Sequence, residues 1–207
     1  MTLDKAEIAR RQLGSALALF LEDLDPVSVH SLACGGGEIA EHLSRSAGAN
    51  PFSAHMLEAF PDSSLADIKR LRNQFWNAFK HASSRTGQNR QDEELLDRFD
   101  DGVNDHALLL GWHDYMQATQ CLPIEVQIFF IWYYAMYPDK LDGSAQSNGV
   151  SVREYSLDLF SKLAEVPREE AKRRLRVVIE HRQRTDPELM SHPQTERRPL
   201  IAPRGTL

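Results

Sequence analysis

Arg70, Asn73, Asn77 and His81 recur at spacings of three, four and four. At about 100° per residue these positions fall within roughly 80° of one another on an α-helix. Asn77 and His81 are one turn apart, close enough to act on one group. Histidine is a side chain suited to acid, base or phosphate-contact chemistry. Lys80 and Trp76 flank the stripe with a cation and an aromatic surface. Arg70, Asn77 and His81 are therefore the candidate catalytic residues. Asn73, Lys80 and Trp76, with His30 from an earlier segment, are the candidate ligand contacts. Leu65, Ile68, Leu71, Phe75 and Phe79 form an apolar stripe on the other side. The plainer alternative is thus an amphipathic helix over 64–82 whose polar side faces water.

Other constellations carry less. Gly35, Gly36 and Gly37 follow one another inside a helical pattern, where each costs about 1 kcal/mol against alanine. They predict either a bend or a closely packed neighbouring backbone. A phosphate loop would also need a strand before them and a lysine after them. Glu38, Glu41 and His42 are spaced wrongly for a carboxylate-bridged metal site, and no second copy exists. His106 and His113 share a face beside Asp105 and Asp114, a spacing more typical of a core boundary than of a metal site. No metal and no cofactor is expected. Residues 168–184 carry seven Lys/Arg against three Glu, about +4 in a chain of net charge -6. Interleaved apolar residues make this an amphipathic helix with a charged outer side, RNA binding being the lesser alternative.

The elements that must position these residues are helical. Apolar residues recur at helical spacing from Ala6 to Leu21, and Asp25-Pro26 reads as the cap and first turn of the next helix. A short link predicts an antiparallel hairpin of the two. Residues 124–137 are apolar on every side, as in the buried centre of a bundle. Residues 139–150 read as a flexible loop, and the proline-bearing stretch 185–207 as a disordered tail. The expected fold is all-α, a single-domain bundle of about seven helices over 1–184. The charged start and the lack of a long apolar run predict no leader and no membrane span. Cys34 and Cys121 then fit a reducing, cytoplasmic setting.

Three stretches resemble a family of uncharacterised bacterial helical proteins: residues 9–20, residues 25–33, and Asn77-Ala78-Phe79-Lys80-His81-Ala82. The resemblance covers roughly the first 85 residues and implies a helical fold without an assigned activity. Ser83 stands where that family usually has an acidic residue. The early hairpin and the later Asn-x-x-Lys-His also resemble HEPN domains, which are dimeric helical bundles, many of them metal-independent ribonucleases of toxin and defence systems. That resemblance implies an HEPN-like portion over 1–85 with further helices over 92–184, an RNA, nucleotide or protein partner, and a homodimer. The HEPN motif is an arginine, often followed by a polar residue, with a histidine four to six residues on. Here Arg72-Asn73 and His81 have eight residues between arginine and histidine. On one continuous helix Arg72 and His81 lie about 180° apart, which counts against the ribonuclease alternative. The remaining alternative is a structural or regulatory interaction protein without a ligand.

Overall fold

The computed structural model describes residues 3–83, 86–140, 146–147 and 149–201. The parts of the expected loops and tail at 84–85, 141–145, 148 and 202–207 lie outside them. The first helix, α1 (Lys5–Leu21), buries Ala9, Leu13, Ala16, Leu17 and Phe20 completely. Asp25 then caps α2 (Pro26–Ser46), its carboxylate accepting from the Val27 and Ser28 amides. Gly36 of α2 lies against Ala9 and Leu13 of α1, and the short link from Leu21 to Pro26 makes the packed pair antiparallel. The glycine triplet does not break α2, which is continuous through it.

Next come α3 (Phe52–Ala59), α4 (Leu65–Arg72), α5 (Gln74–Lys80), α6 (Glu93–Leu96) and α7 (Gly102–Thr119). Two cross-contacts fix the pairing of α2 with α7. His30 meets Asn104, and the position of a Gly37 Cβ lies 3.3 Å from Gly111 Cα. Each pair is offset by the same number of residues, so the two helices run parallel in a heptad-like register. Parallel neighbours need a long crossover, and α3 to α6 supply it.

After α7 come β1 (Leu122–Pro123), α8 (Ile124–Met136), β2 (Gln146–Ser147), β3 (Val150–Ser151) and α9 (Val152–Leu159). Then follow α10 (Arg168–Thr185), α11 (Pro187–Ser191) and β4 (Thr195–Glu196). The strands are two residues each; β1 pairs in parallel with β4, and β2 antiparallel with β3. The described chain is thus predominantly α-helical, with eleven helices where about seven were expected.

The extra helices have local causes. The expected helix over 64–82 divides at Asn73 (φ -100°, ψ 8°), whose Oδ1 accepts from Arg72 Nε. Asparagine competes with the helix for local hydrogen bonds. The helical spacing that begins at Ser151 and runs on to Val166 yields α9 only as far as Leu159, and Lys162 takes a left-handed φ of 54°. Within the expected tail, α11 is capped by Asp186, and β4 lies beside β1.

The chain groups into two compact units. The first takes the chain up to Phe20, Leu24–Gln120 and Ile201; the second takes Leu21–Asp23 and Cys121–Leu200. The first therefore extends past residue 85, because α7 packs along α2. In the second, α8 is the buried centre, as its all-round apolarity predicted. Phe129 and Trp132 are fully enclosed, and Trp132 Nε1 donates to the Ala171 carbonyl of α10. Ala171, Leu175 and Ile179 form the inner side of α10. No helix among the described residues is long and apolar enough to cross a membrane.

Candidate functional site

The break at Asn73 decides what the 70–81 stripe becomes. Two short helices replace one rod, and the inward line is Ile68, Arg72, Phe75 and Phe79 rather than the expected apolar stripe. Ile68 and Phe75 are buried, whereas Leu71 is 62% exposed. A cation thus occupies an inward position. Arg72 Nη2 donates to the buried carboxylate of Glu41 on α2 at 2.7 Å.

Glu41 gathers more than Arg72. Its Oε1 accepts from Arg45 Nη2 (2.8 Å) and from the Ser53 hydroxyl of α3 (3.0 Å). Lys69 Nζ of α4 stands 3.7 Å away. Burial pushes the Glu41 carboxyl up, but the Arg45 and Arg72 guanidiniums and Ser53 outweigh it and hold the pKa at about 2. The carboxylate is therefore ionised near neutrality and ties α2, α3 and α4 together.

The candidate catalytic residues do not converge. Arg70 points into solvent and is engaged by Asp67, which also completes the Ser64 capping box of α4. Asn77 is half-buried on α5, and His81 lies past its end on extended backbone. Among the described residues Arg70, Asn77 and His81 make no hydrogen bond or ion pair with one another. Asn73 is the break itself. Of the ligand candidates, Lys80 and Trp76 do meet: the Lys80 ammonium sits 3.4 Å from the centre of the indole ring.

His30 lies on the opposite, apolar side of α5. It is buried within a box of Phe75, Phe79 and Phe99, all edge-on at 5.5–6.0 Å. Its Nδ1 donates to Asn104 Oδ1, and the Cys34 thiol donates to its Nε2. Asn104 is fixed in turn by donating to the Pro26 carbonyl and to Asp101. Burial lowers the His30 pKa, with the Asn104 bond opposing, so the ring is neutral and holds α2, α5 and α7 in register. Burial likewise pushes the Cys34 thiol up to about 12, against the pull of Arg72 and Lys80. Only the thiolate reacts with alkylating agents. At pH 8, iodoacetamide is expected to label Cys121 in the native protein and Cys34 only after unfolding. Mass spectrometry of the labelled peptides checks this, and native labelling of Cys34 at the Cys121 rate would refute the buried thiol.

Elsewhere on α7, His113 Nδ1 donates to the buried Asp114 at 3.3 Å, and Asp114 also accepts from the Phe52 amide at 2.7 Å. No group of three or more His, Cys, Asp or Glu among the described residues is arranged to hold a metal ion. On α10 the basic run is largely matched internally: Lys172 reaches Asp23 at 2.6 Å, and Arg173 and Arg174 share Glu170.

The Glu41 cluster was not visible in the sequence beyond its Glu41–Arg45 spacing of one helical turn. Its other members come from helices whose packing the pattern does not specify. No protein-family model, curated protein or solved structure matches this chain.

Proposed function

We propose that the first unit is an HEPN-like binding module for a short single-stranded RNA or a nucleotide, acting by binding rather than cleavage. The Trp76–Lys80 pair carries this reading. The Lys80 ammonium lies over one face of the indole; a base stacks on the other face, or on this one as the lysine swings out to a phosphate. The setting supports it: residues 65–90 hold six Lys/Arg against the single acid Asp67. The next stretch, 91–105, holds seven Asp/Glu against one arginine, and its helix α6 packs on α5. A long polyanion is repelled there, so the ligand is short. Cleavage has weaker support, since Arg70 and Arg72 are each committed to a carboxylate and neither meets His81.

The three tryptophans give a direct test. Trp112 and Trp132 are fully buried, whereas Trp76 is half-exposed. Oligoadenylate of about six nucleotides is expected to quench the Trp76 part of the emission at low salt, less so as salt rises. Stacking contributes about 1–3 kcal/mol per base, so Trp76→Ala weakens binding by about five- to 150-fold. If low-salt titration to millimolar oligonucleotide leaves the emission unchanged, the reading fails and an interaction protein without such a ligand is left.

A further inference from the structure

We infer that Arg45, Lys69 and Arg72 form a phosphate-binding subsite assembled on Glu41. One carboxylate neutralises one cation, yet three converge on it, which leaves the cluster two positive charges in surplus. Arg45 and Lys69 are long side chains whose relative exposures are 43% and 46%, so both were free to extend into water. Instead both turn toward a carboxylate that is only 3% exposed.

Donor accounting points the same way. Arg45 uses Nη2 on Glu41 and on Ser53 Oγ, leaving Nε and Nη1 uncommitted. Lys69 stands beyond hydrogen-bond distance of Glu41, so its ammonium keeps its donors. Arg72 is the enclosed member, held by Glu41 and Asn73. The nearest acid on α4, Asp67, is occupied by Ser64 and Arg70 and does not compete. A tetrahedral dianion matches both the surplus charge and the donors that the part-exposed Arg45 and Lys69 side chains keep. Glu41 and Arg72 hold the frame, and Arg45 and Lys69 present the half-exposed surface that meets the anion.

This subsite deepens the nucleotide reading by naming what would hold the phosphate, but phosphate recognition itself does not depend on a base at Trp76. The test uses inorganic phosphate, adenosine and AMP as separate probes, followed by calorimetry and by Trp76 emission. Sodium chloride of equal ionic strength is the control. Wild type is expected to bind phosphate and AMP, and Arg45→Gln/Lys69→Gln to weaken both at least tenfold. Those two changes keep the Glu41–Arg72 pair; a wild-type far-ultraviolet circular-dichroism spectrum at the assay temperature, with a cooperative melt above it, verifies the fold. Trp76→Ala is expected to bind phosphate as wild type does. Phosphate binding equal in wild type and the double variant, or no more than chloride gives, overturns the subsite. Phosphate binding without any quenching by AMP or oligoadenylate supports the subsite and removes the base-stacking reading. Quenching by adenosine and AMP alike, with no phosphate effect, does the reverse.

Discussion

Glu41→Gln is expected to lower the stability of the first unit by about 3 kcal/mol at neutral pH. The usual carboxyl pKa of 4.5 falls to about 2 in the fold. At about 1.36 kcal/mol per unit, that difference is the preference of the native state for the charged form. Glutamine keeps one acceptor but turns an amide donor toward guanidinium donors, so Arg72 is left enclosed without an anion. A loss of this size lowers the melting temperature by about 6–12 °C in a chain of this length. The folded pKa is depressed, so the stabilisation is complete above about pH 4.5 and disappears as pH falls towards 2. The variant therefore loses stability at pH 7 and shows a shallower acid limb between about pH 5 and 2. Glu170 provides the contrast. Hydrogen bonds from Arg173 and then Arg174 hold its carboxyl at a similar value of about 2, but its side chain is 30% exposed where that of Glu41 is 3% exposed. Water and salt screen such pairs, so Glu170→Gln leaves the melt nearly unchanged. Each variant is followed through the buried tryptophan of its own unit, Trp112 for Glu41→Gln and Trp132 for Glu170→Gln, with the other tryptophans replaced by phenylalanine, since the two units need not unfold together. Equal losses for both variants, or no loss for Glu41→Gln, would show that the cluster is as solvated as the α10 surface.

Local signals in the sequence translated faithfully. Asp25-Pro26 starts α2, the helix expected from residue 64 begins there with Ser64 as its cap, and the largely apolar run at 124–137 became the enclosed α8. These depend on neighbours within a turn or two, which sequence spacing encodes. What was not legible depends on partners far along the chain. Periodicity assigned Leu71 inward and gave Arg72 no inward role, because apolar residues are normally the buried ones. It had no means of knowing that Glu41 would wait below with its own hydrogen bonds. The stripe of Arg70, Asn77 and His81 presumed one axis, and Asn73, a residue of modest helix propensity, divides it. His30 was considered as a ligand contact because its spacing says nothing about depth; Phe75 and Phe79 of α5 and Phe99 from the segment between α6 and α7 enclose it. The glycine triplet left two outcomes open, a bend or a close approach, and the contacts of Gly36 with Ala9 and Leu13 and of Gly37 with Gly111 show the second.

That close approach leads to the other large effect, which centres on Leu13. A Cβ on Gly111 would lie 2.5 Å from Leu13 Cδ2 and 3.3 Å from Gly37 Cα. One on Gly36 would lie 2.8 Å from Leu13 Cγ and 3.1 Å from the Ala9 carbonyl oxygen. Leu13 is fully buried and has nowhere to retreat. Alanine gains about 1 kcal/mol of helix propensity over glycine, but overpacking a tight core costs about 1–3 kcal/mol and here involves backbone too. Gly111→Ala and Gly36→Ala are therefore expected to destabilise. Gly35→Ala is expected to be neutral or stabilising, because its Cβ would meet only the Gln12 side chain at 3.3 Å, which can turn aside. Leu13→Ala alone should cost about 2–5 kcal/mol by opening a cavity. In that background Gly111→Ala should lose its penalty and fill part of the hole, a coupling that a double-mutant cycle measures by urea denaturation. Gly36→Ala should remain harmful there, since the Ala9 carbonyl oxygen does not move with the side chain. Additive effects of Leu13→Ala and Gly111→Ala would mean that α1, α2 and α7 do not meet at this point.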